Sequence, residues 1–187
     1  MPQDDRRRRF ELLALPHLDA AFNLARWLAG NTTDAEDVVQ DAYMRAYRYF
    51  DAFQGGNFRV WLLTIVRNAF VTWVKENRSS RMVFLPDTPV AETADTEEMM
   101  WGSRPRDPES LLMERIDSQT LSRLMEQLPA EYREVLLLRE VEDLAYKEIA
   151  EVTGVPIGTV MSRLSRARLS LRKLWMQQAE AETTHGL

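Results

Sequence analysis

The chain has 187 residues, of which 45% are hydrophobic and 28% are charged, a composition that excludes disorder throughout and fits one or two folded domains. It contains no cysteine, which excludes disulfides, thiol nucleophiles and thiolate metal sites, and no apolar run near the roughly 18 residues of a membrane span. The net charge of -5 argues against a strongly basic nucleic-acid binder, but residues 151–175 carry five basic side chains and only one acidic one.

Apolar residues recur at three- and four-residue steps, and no segment alternates as a half-buried strand does, so the sequence predicts an all-α fold. The first predicted helix covers residues 10–29 and ends at Gly30. Thr33 and Glu36 have the spacing of a capping box, in which two side chains bind the free amides at a helix start. A second helix is therefore expected from there to about Phe50.

Gly55 and Gly56 interrupt this pattern before an apolar, tryptophan-rich stretch. That stretch, residues 58–74, is predicted to form two short helices that meet near Arg67 and Asn68. Trp61 and Trp73 fall within it at helical spacing, and we interpret them as core side chains.

The helical pattern fails over residues 82–108, which contain four prolines and an excess of acidic side chains. We interpret them as a flexible acidic linker. Helical periodicity resumes at residues 109–128, pauses at Pro129, and continues in three short segments to about Trp175. The predicted organisation is an N-terminal domain over 1–81, the linker, a C-terminal domain over 109–176 and a tail over 177–187.

Residues 144–164 have the form of a helix-turn-helix. Gly154 supplies the left-handed residue that the turn requires, and the small Ala150 lets the two helices approach closely. Pro156 can open the second helix without losing a needed amide hydrogen bond. The expected shared core consists of Ile149, Val155, Val160 and Leu164.

A helix over residues 159–175 would have one apolar arc and one polar, basic arc. The apolar arc contains Val160, Leu164, Ala167, Leu171, Leu174 and Trp175. The polar arc contains Thr159, Ser162, Arg163, Arg166, Ser170 and Lys173. Such a polar face suits the major groove of DNA, although a solvated amphipathic helix that binds nothing has the same pattern.

Five sequence blocks carry a family resemblance. They are DAEDVVQDAY (34–43), FRVWLLTIVRN (58–68), LPAEYREV (128–135), YKEIA (146–150) and GTVMSRLSRAR (158–168). Together they resemble the extracytoplasmic-function (ECF) sigma factors, a subfamily of the bacterial sigma-70 transcription initiation factors. The resemblance covers most of residues 10–175 and implies two helical domains, sigma regions 2 and 4, that act only on RNA polymerase core.

The resemblance also implies three sets of contact residues, carried over by position. Region 4 would read the promoter -35 element with Thr159, Ser162, Arg163, Ser165, Arg166, Arg168, Arg172 and Lys173. Region 2 would capture an unstacked base of the -10 element in a loop formed by Arg67, Asn68 and Phe70, with Lys75, Arg78 and Arg81 along the phosphates. It would bind the clamp helices of the largest polymerase subunit with Asp37, Gln40, Asp41 and Arg45, while region 4 would contact the polymerase flap.

Two positions depart from the family pattern. Housekeeping sigma factors have paired tryptophans that help melt DNA where this chain has Thr64 and Ile65, which implies stricter promoter requirements. Met161 stands where relatives often have Arg or Lys, so the -35 preference is not expected to match theirs.

Further expectations follow from the resemblance. Family members are usually held inactive by a cognate anti-sigma factor, which is a predicted partner here. The lack of a membrane span and of a signal-peptide core separately leads us to expect a cytoplasmic location without membrane insertion. No metal or cofactor is implied. An enzyme is not expected either, because the two histidines, His17 and His185, lie far apart and the chain has no phosphate-binding glycine loop.

Two other functions fit parts of the sequence. An autonomous helix-turn-helix regulator would share the C-terminal motif but not the blocks at 34–43 and 58–68. An adaptor that mimics a sigma factor and sequesters its inhibitor would not need the basic face at Arg163, Arg166 and Lys173.

Overall fold

In the computed structural model, residues 3–77 and 118–185 are described, and every regular element within these two ranges is helical. This confirms the expected all-α class with two helical domains. The expected linker, residues 82–108, lies outside the described residues, as do 109–117 of the helix predicted to begin at residue 109. Among the helices described, none is long and apolar enough to cross a membrane.

The described part of the N-terminal unit, residues 3–77, contains four α-helices. They are α1 (Gln3–Ala14), α2 (Leu18–Ala29), α3 (Thr32–Arg48) and α4 (Phe58–Asn77), with short 3-10 turns at Leu15–His17 and Phe50–Ala52. Helices α2, α3 and α4 pack together, and α1 contacts α4. The expected single helix over 10–29 was therefore wrong, because Pro16 lies in a turn that separates α1 from α2.

The helix boundaries around Gly30 follow local chemistry. Gly30 ends α2 in the left-handed conformation (φ 78°), as predicted, and its N–H donates to the Arg26 carbonyl. The capping box at Thr33 was wrong, because Asn31 is the cap residue of α3 and its side-chain oxygen accepts from the Asp34 amide at 2.9 Å. Helix α3 ends at Arg48, slightly before the expected Phe50.

Helix α4 is continuous over its 20 residues. The predicted break near Arg67 and Asn68 was wrong. Val60, Leu63 and Val66 bury one side of α4 in the core. A separate aromatic cluster, in which Trp61 packs against the core as expected, covers its first turn and comprises Phe10, Phe50, Phe53, Phe58 and Trp61.

The described part of the C-terminal unit, residues 118–185, also contains four α-helices. They are α5 (Ser118–Glu126), α6 (Ala130–Leu136), α7 (Tyr146–Thr153) and α8 (Ile157–His185), with a π-helical turn over Leu137–Val141 after α6. Pro129 precedes α6, as predicted. Helix α8 continues ten residues beyond Trp175, so the expected end there was wrong.

The two units pack directly against each other. Helix α4 contacts α7, and α2 contacts α6. One hydrophobic cluster includes Leu63 and Val66 of α4 together with Val135 of α6 and Ile149 of α7. The N-terminal and C-terminal units therefore share a core, an arrangement that the sequence did not indicate.

Candidate nucleic-acid interface

The helix-turn-helix is formed by α7, a short turn and the start of α8. Gly154 ends α7 with φ 70°, and its N–H donates to the Ala150 carbonyl at 2.9 Å. Pro156 directly precedes α8, and its carbonyl accepts from the Thr159 amide. The turn chemistry predicted from the sequence is therefore confirmed.

Helix α8 has the two faces that its periodicity predicts. Val160, Leu164, Ala167 and Leu171 are buried, and Leu174 and Trp175 pack against them. On the opposite side Ser162, Arg166 and Lys173 are exposed, while Thr159, Arg163 and Ser170 are partly exposed. The polar face is therefore open to a ligand along the first half of the helix.

The remaining -35 candidates lie on an adjacent side of α8. Ser165, Arg168, Arg172 and the exposed Met161 project there, because they are offset from the polar face by about a third of a helical turn. Arg168 donates to Glu140 at 2.6 and 3.2 Å, so this arginine already has a carboxylate partner. The candidate set therefore divides between two sides of α8, and on the second side Arg168 is held at Glu140 of the π-helical turn.

The -10 candidates lie on α4. Arg67 Nε donates to Glu134 Oε1 of α6 at 2.7 Å. Asn68 is exposed, and Phe70 stacks on Trp73 with ring centroids 6.3 Å apart while both pack against the core. Lys75 is exposed, and Arg78 and Arg81 lie outside the described residues. The expected loop around Asn68 was wrong, since this residue lies within a helix.

The sequence analysis did not single out Glu134 and Glu142 as buried, ion-paired residues. Both carboxylates are buried, with 5% and 4% of the residue exposed, and each pairs with an arginine of α4. Glu134 pairs with Arg67, and Glu142 pairs with Arg59. Acidic residues inside the apolar run 134–142 were the available signal, because a buried carboxylate requires a hydrogen-bonded or cationic partner.

Burial dominates the electrostatics of Glu134. Desolvation raises the pKa of its carboxyl group, and the positive charges of Arg67 and Arg163 offset only part of this effect. Arg163 belongs to the polar face of α8. Glu134 therefore lies within electrostatic range of one candidate arginine from each DNA-contact set.

The expected polymerase-contact residues share one side of α3. Asp37 and Gln40 are exposed, and Asp41 pairs with Arg45 at 2.7 Å. Arg45 also donates to Thr72 Oγ1 of α4 at 3.3 Å, which fixes it against the bundle. The sequence did not single out the neighbouring Met44 and Tyr49, which are 61% and 58% exposed.

Some of these side chains surround a shallow hollow of about 290 Å³ at the end of α3. Its lining residues are Asp41, Met44, Arg45, Arg48 and Tyr49. Charged groups around exposed apolar side chains are typical of a protein-binding surface. Within residues 3–77 and 118–185, no group of His, Asp or Glu side chains is arranged to hold a metal ion.

Two family profiles match the chain. The profile described as Sigma-70 region 2 matches residues 13–80, and the one described as Sigma-70, region 4 matches residues 118–171. The first range contains α2, α3 and α4, and the second contains the helix-turn-helix.

Individual proteins give the same result. The chain is 34% identical to the ECF RNA polymerase sigma factor SigE of Mycolicibacterium smegmatis over 93% of its length, but it spans only 64% of that relative. It is 32% identical to the ECF RNA polymerase sigma factor SigW of Bacillus subtilis, covering 83% of this chain and 82% of SigW.

Among solved structures, the sigma factor RpoE of Bartonella quintana, crystallised with the anti-sigma factor NepR, is similar with a TM-score of 0.66 and 30% identity. The match covers 90% of this chain and 98% of RpoE. The likeness therefore extends over both helical units.

Proposed function

Because the chain belongs to the extracytoplasmic-function sigma factors of the sigma-70 family, we propose that it binds RNA polymerase core and directs transcription initiation. The promoters it serves would carry the particular -35 and -10 elements that this chain recognises. In this proposal residues 1–81 act as region 2 and residues 109–176 as region 4, with 82–108 as linker and 177–187 as tail. The chain would act in the cytoplasm, on the polymerase that transcribes the chromosome.

The observation that supports this function best is the polar face of α8. Ser162, Arg166 and Lys173 are exposed on it, while Val160 and Leu164 anchor its other side in the core. A recognition helix needs this division, because the buried side fixes the angle at which the exposed side enters the major groove. Base contacts are assigned to the polar face first, since Arg168 on the adjacent side would have to leave Glu140.

Recognition of the -10 element is assigned to α4. The exposed Asn68 amide can pair with the edge of an unstacked base, and Lys75, on the same helix, can contact a DNA phosphate. Arg67 can join them only after separating from Glu134. Phe70 is packed against Trp73 and the core, which favours a supporting role over direct base stacking.

Polymerase binding is assigned to the exposed side of α3. Asp37, Gln40 and Asp41 supply polar contacts to the clamp helices, and the neighbouring Met44 supplies apolar area at the hollow. Arg45 positions Asp41 through their ion pair. The flap contact made by region 4 in this family is assigned to the C-terminal unit as a whole.

A cognate anti-sigma factor is the proposed regulator. The similar Bartonella protein was crystallised with such an inhibitor, and its match extends over both helical units of this chain. The absence of cysteine in the chain means that a thiol-based stress signal would have to be sensed by the partner.

The direct test is run-off transcription with purified polymerase core and a library of promoter fragments from the source genome. The wild-type chain is compared with Asn68→Ala and Arg166→Ala. Gln54→Ala and Arg8→Ala serve as matched controls, because each removes an exposed side chain of the same chemical type outside the assigned contacts.

We expect transcripts that require both core and the chain, weakened by the two test substitutions and unaffected by the two controls. Loss of Arg166 should cost about 1–3 kcal/mol at one promoter position. A chain that binds DNA specifically without core would instead be an autonomous regulator. One that neither binds core nor supports transcription would contradict the sigma function.

A further inference from the structure

The start of α8 carries two exposed apolar side chains. Ile157 and Met161 are each 49% exposed, and they lie on the same side of the helix because they are four residues apart. Their neighbours Val160 and Leu164 are almost fully buried and anchor the helix in the core. The exposed pair therefore leaves an apolar surface open to a ligand at the first two turns of α8.

Met161 lies beside two short polar side chains. Around the helix axis, Ser165 lies about 40° and Ser162 about 100° from Met161, and both serines are exposed. The Ser162 hydroxyl donates to the Thr159 carbonyl at 3.0 Å, so its hydrogen is used within the helix. Met161 therefore has the longest reach of the side chains on this part of the surface.

The charges along α8 fit a polyanion as the ligand. The sequence between Glu151 and Glu180 contains no acidic side chain, whereas five basic ones occur there. They are Arg163, Arg166, Arg168, Arg172 and Lys173. A protein partner that used Ile157 and Met161 as apolar contacts would not need this uniform positive charge. DNA is therefore favoured as the molecule that covers the exposed pair.

The position of Met161 brings it close to base edges when α8 lies in the major groove. A helix with its side chains is about 10–12 Å across and the groove is about 12 Å wide, so the groove covers the sides of the helix as well as its leading face. Residues near the N-terminus of a recognition helix contact base edges. DNA that covers Ser162 and Arg166 would consequently cover Met161 too.

The chemistry of the methionine side chain determines which base it can recognise. A thioether donates no hydrogen bond, so Met161 cannot read the N7 and O6 acceptors of guanine. Thymine presents an apolar group in the major groove, its C5-methyl. A flexible, polarisable methionine can adapt its shape to such a group. The chemical match to Met161 is therefore a thymine methyl group.

We propose that Met161, extended by Ile157, contacts the C5-methyl group of a thymine in the -35 element and thereby selects an A·T pair at that position. This inference rests on the proposed function, because it concerns the promoter DNA that region 4 reads. Met161 would read one position by apolar contact, next to the positions that the polar face of α8 reads by hydrogen bonds.

The test removes the methyl group alone. Holoenzyme is assembled from polymerase core and the full-length chain, and run-off transcription identifies its strongest promoter. Each thymine of the -35 element, on either strand, is then replaced in turn by deoxyuridine. This base keeps every hydrogen-bonding group of thymine and lacks only the methyl. The transcript itself is unchanged, because the -35 element lies upstream of the transcribed region.

Three substitutions of Met161 separate apolar contact from other effects. Met161→Ala removes the contact, Met161→Leu retains an apolar side chain, and Met161→Arg introduces a donor that suits guanine N7 and O6. The matched control is Met176→Ala. Met176 is 53% exposed on the same side of α8, but it lies 15 residues, or about 22 Å, further along the helix.

For the wild-type chain we expect deoxyuridine at one position to lower transcription about fourfold. Met161→Leu and Met176→Ala should keep this dependence. Met161→Ala should lose it while still supporting core-dependent transcription, and Met161→Arg should prefer guanine at that position.

Two kinds of failure are distinguishable. Transcription that depends on no thymine methyl, that depends on it equally in Met161→Ala, or that keeps its thymine preference in Met161→Arg would overturn the inference and leave the proposed function standing. Absence of any core-dependent transcript would contradict the proposed function and this inference together.

Discussion

Glu134 illustrates how one buried side chain couples stability to pH. Burial raises the pKa of its carboxyl group, despite Arg67 and Arg163 nearby, and Glu131 raises it further. The folded chain therefore holds this proton more tightly than the unfolded chain, and the resulting stability is present below the ordinary glutamate pKa and is lost as pH rises through the raised value.

We predict that the difference in free energy of unfolding between the wild-type chain and Glu134→Gln (wild type minus variant) decreases with rising pH. The decrease should fall between the ordinary pKa of glutamate and the raised pKa of Glu134. Urea denaturation of both proteins from about pH 4 to about pH 8 measures it, and the subtraction removes the other titrating groups. A difference that grows with pH would mean that attraction to Arg67 outweighs desolvation.

Arg166 and Arg168 are two residues apart but should behave differently. Arg166 is exposed on the polar face, whereas Arg168 is held by Glu140. We predict that Arg166→Ala relaxes one position of the -35 element and costs about 1–3 kcal/mol there, while Arg168→Ala weakens all promoters by a smaller, similar factor. Transcription profiles over a randomised -35 library distinguish these outcomes, and an unchanged profile for Arg166→Ala would remove it from the base-reading set.

At the scale of elements, the turn between α7 and α8 depends on one backbone conformation. Gly154 has φ 70°, and a methyl group added there would meet no atom within 4 Å, so the cost of Gly154→Ala is conformational and not steric. We predict a loss of about 1–2 kcal/mol in the free energy of unfolding. Gly158→Ala, which is equally uncrowded and lies in α8, should be neutral or slightly stabilising. Equal effects in urea denaturation would contradict this account.

The elements predictable from the sequence are those with local causes. Gly30, Gly154 and the apolar arc of α8 were predicted because a left-handed glycine or a helical repeat depends on nearby residues alone. The break expected in α4 was wrong because the cause of its sequence pattern is not local. Arg67 interrupts the apolar pattern because its partner, Glu134, is 67 residues away in the chain, and no local pattern contains that contact.

The candidate site shows the same limit. Periodicity predicted which α8 side chains point away from the core, but not that Arg168 pairs with Glu140 or that Met44 and Tyr49 surround a hollow with Arg48. Those features depend on packing between helices. The interface between the two units was not predicted at all, since its carboxylates and arginines come from separate motifs.

At the scale of the whole molecule, the negative net charge and the packing of the two units against each other should together suppress DNA binding by the free chain. The net charge is -5, and Arg67 and Arg168 already have carboxylate partners. Because phosphate neutralisation supplies most non-specific affinity, we predict negligible binding of the free wild-type chain to labelled promoter DNA at physiological salt. Tight, sequence-specific binding without polymerase would contradict this prediction.

Glu134→Gln with Glu142→Gln should bind DNA more tightly than the wild-type chain, because two negative charges are removed and Arg59 and Arg67 become free to contact phosphate. Fluorescence anisotropy over a salt series separates these causes. Each new phosphate contact steepens the dependence of log affinity on log salt by about 0.9, whereas a general change in net charge adds no fixed contact. If the gain comes from freed arginines, the slope should steepen by about 0.9 for one new phosphate contact or about 1.8 for two. Glu140→Gln leaves both interdomain ion pairs intact and should not steepen the slope.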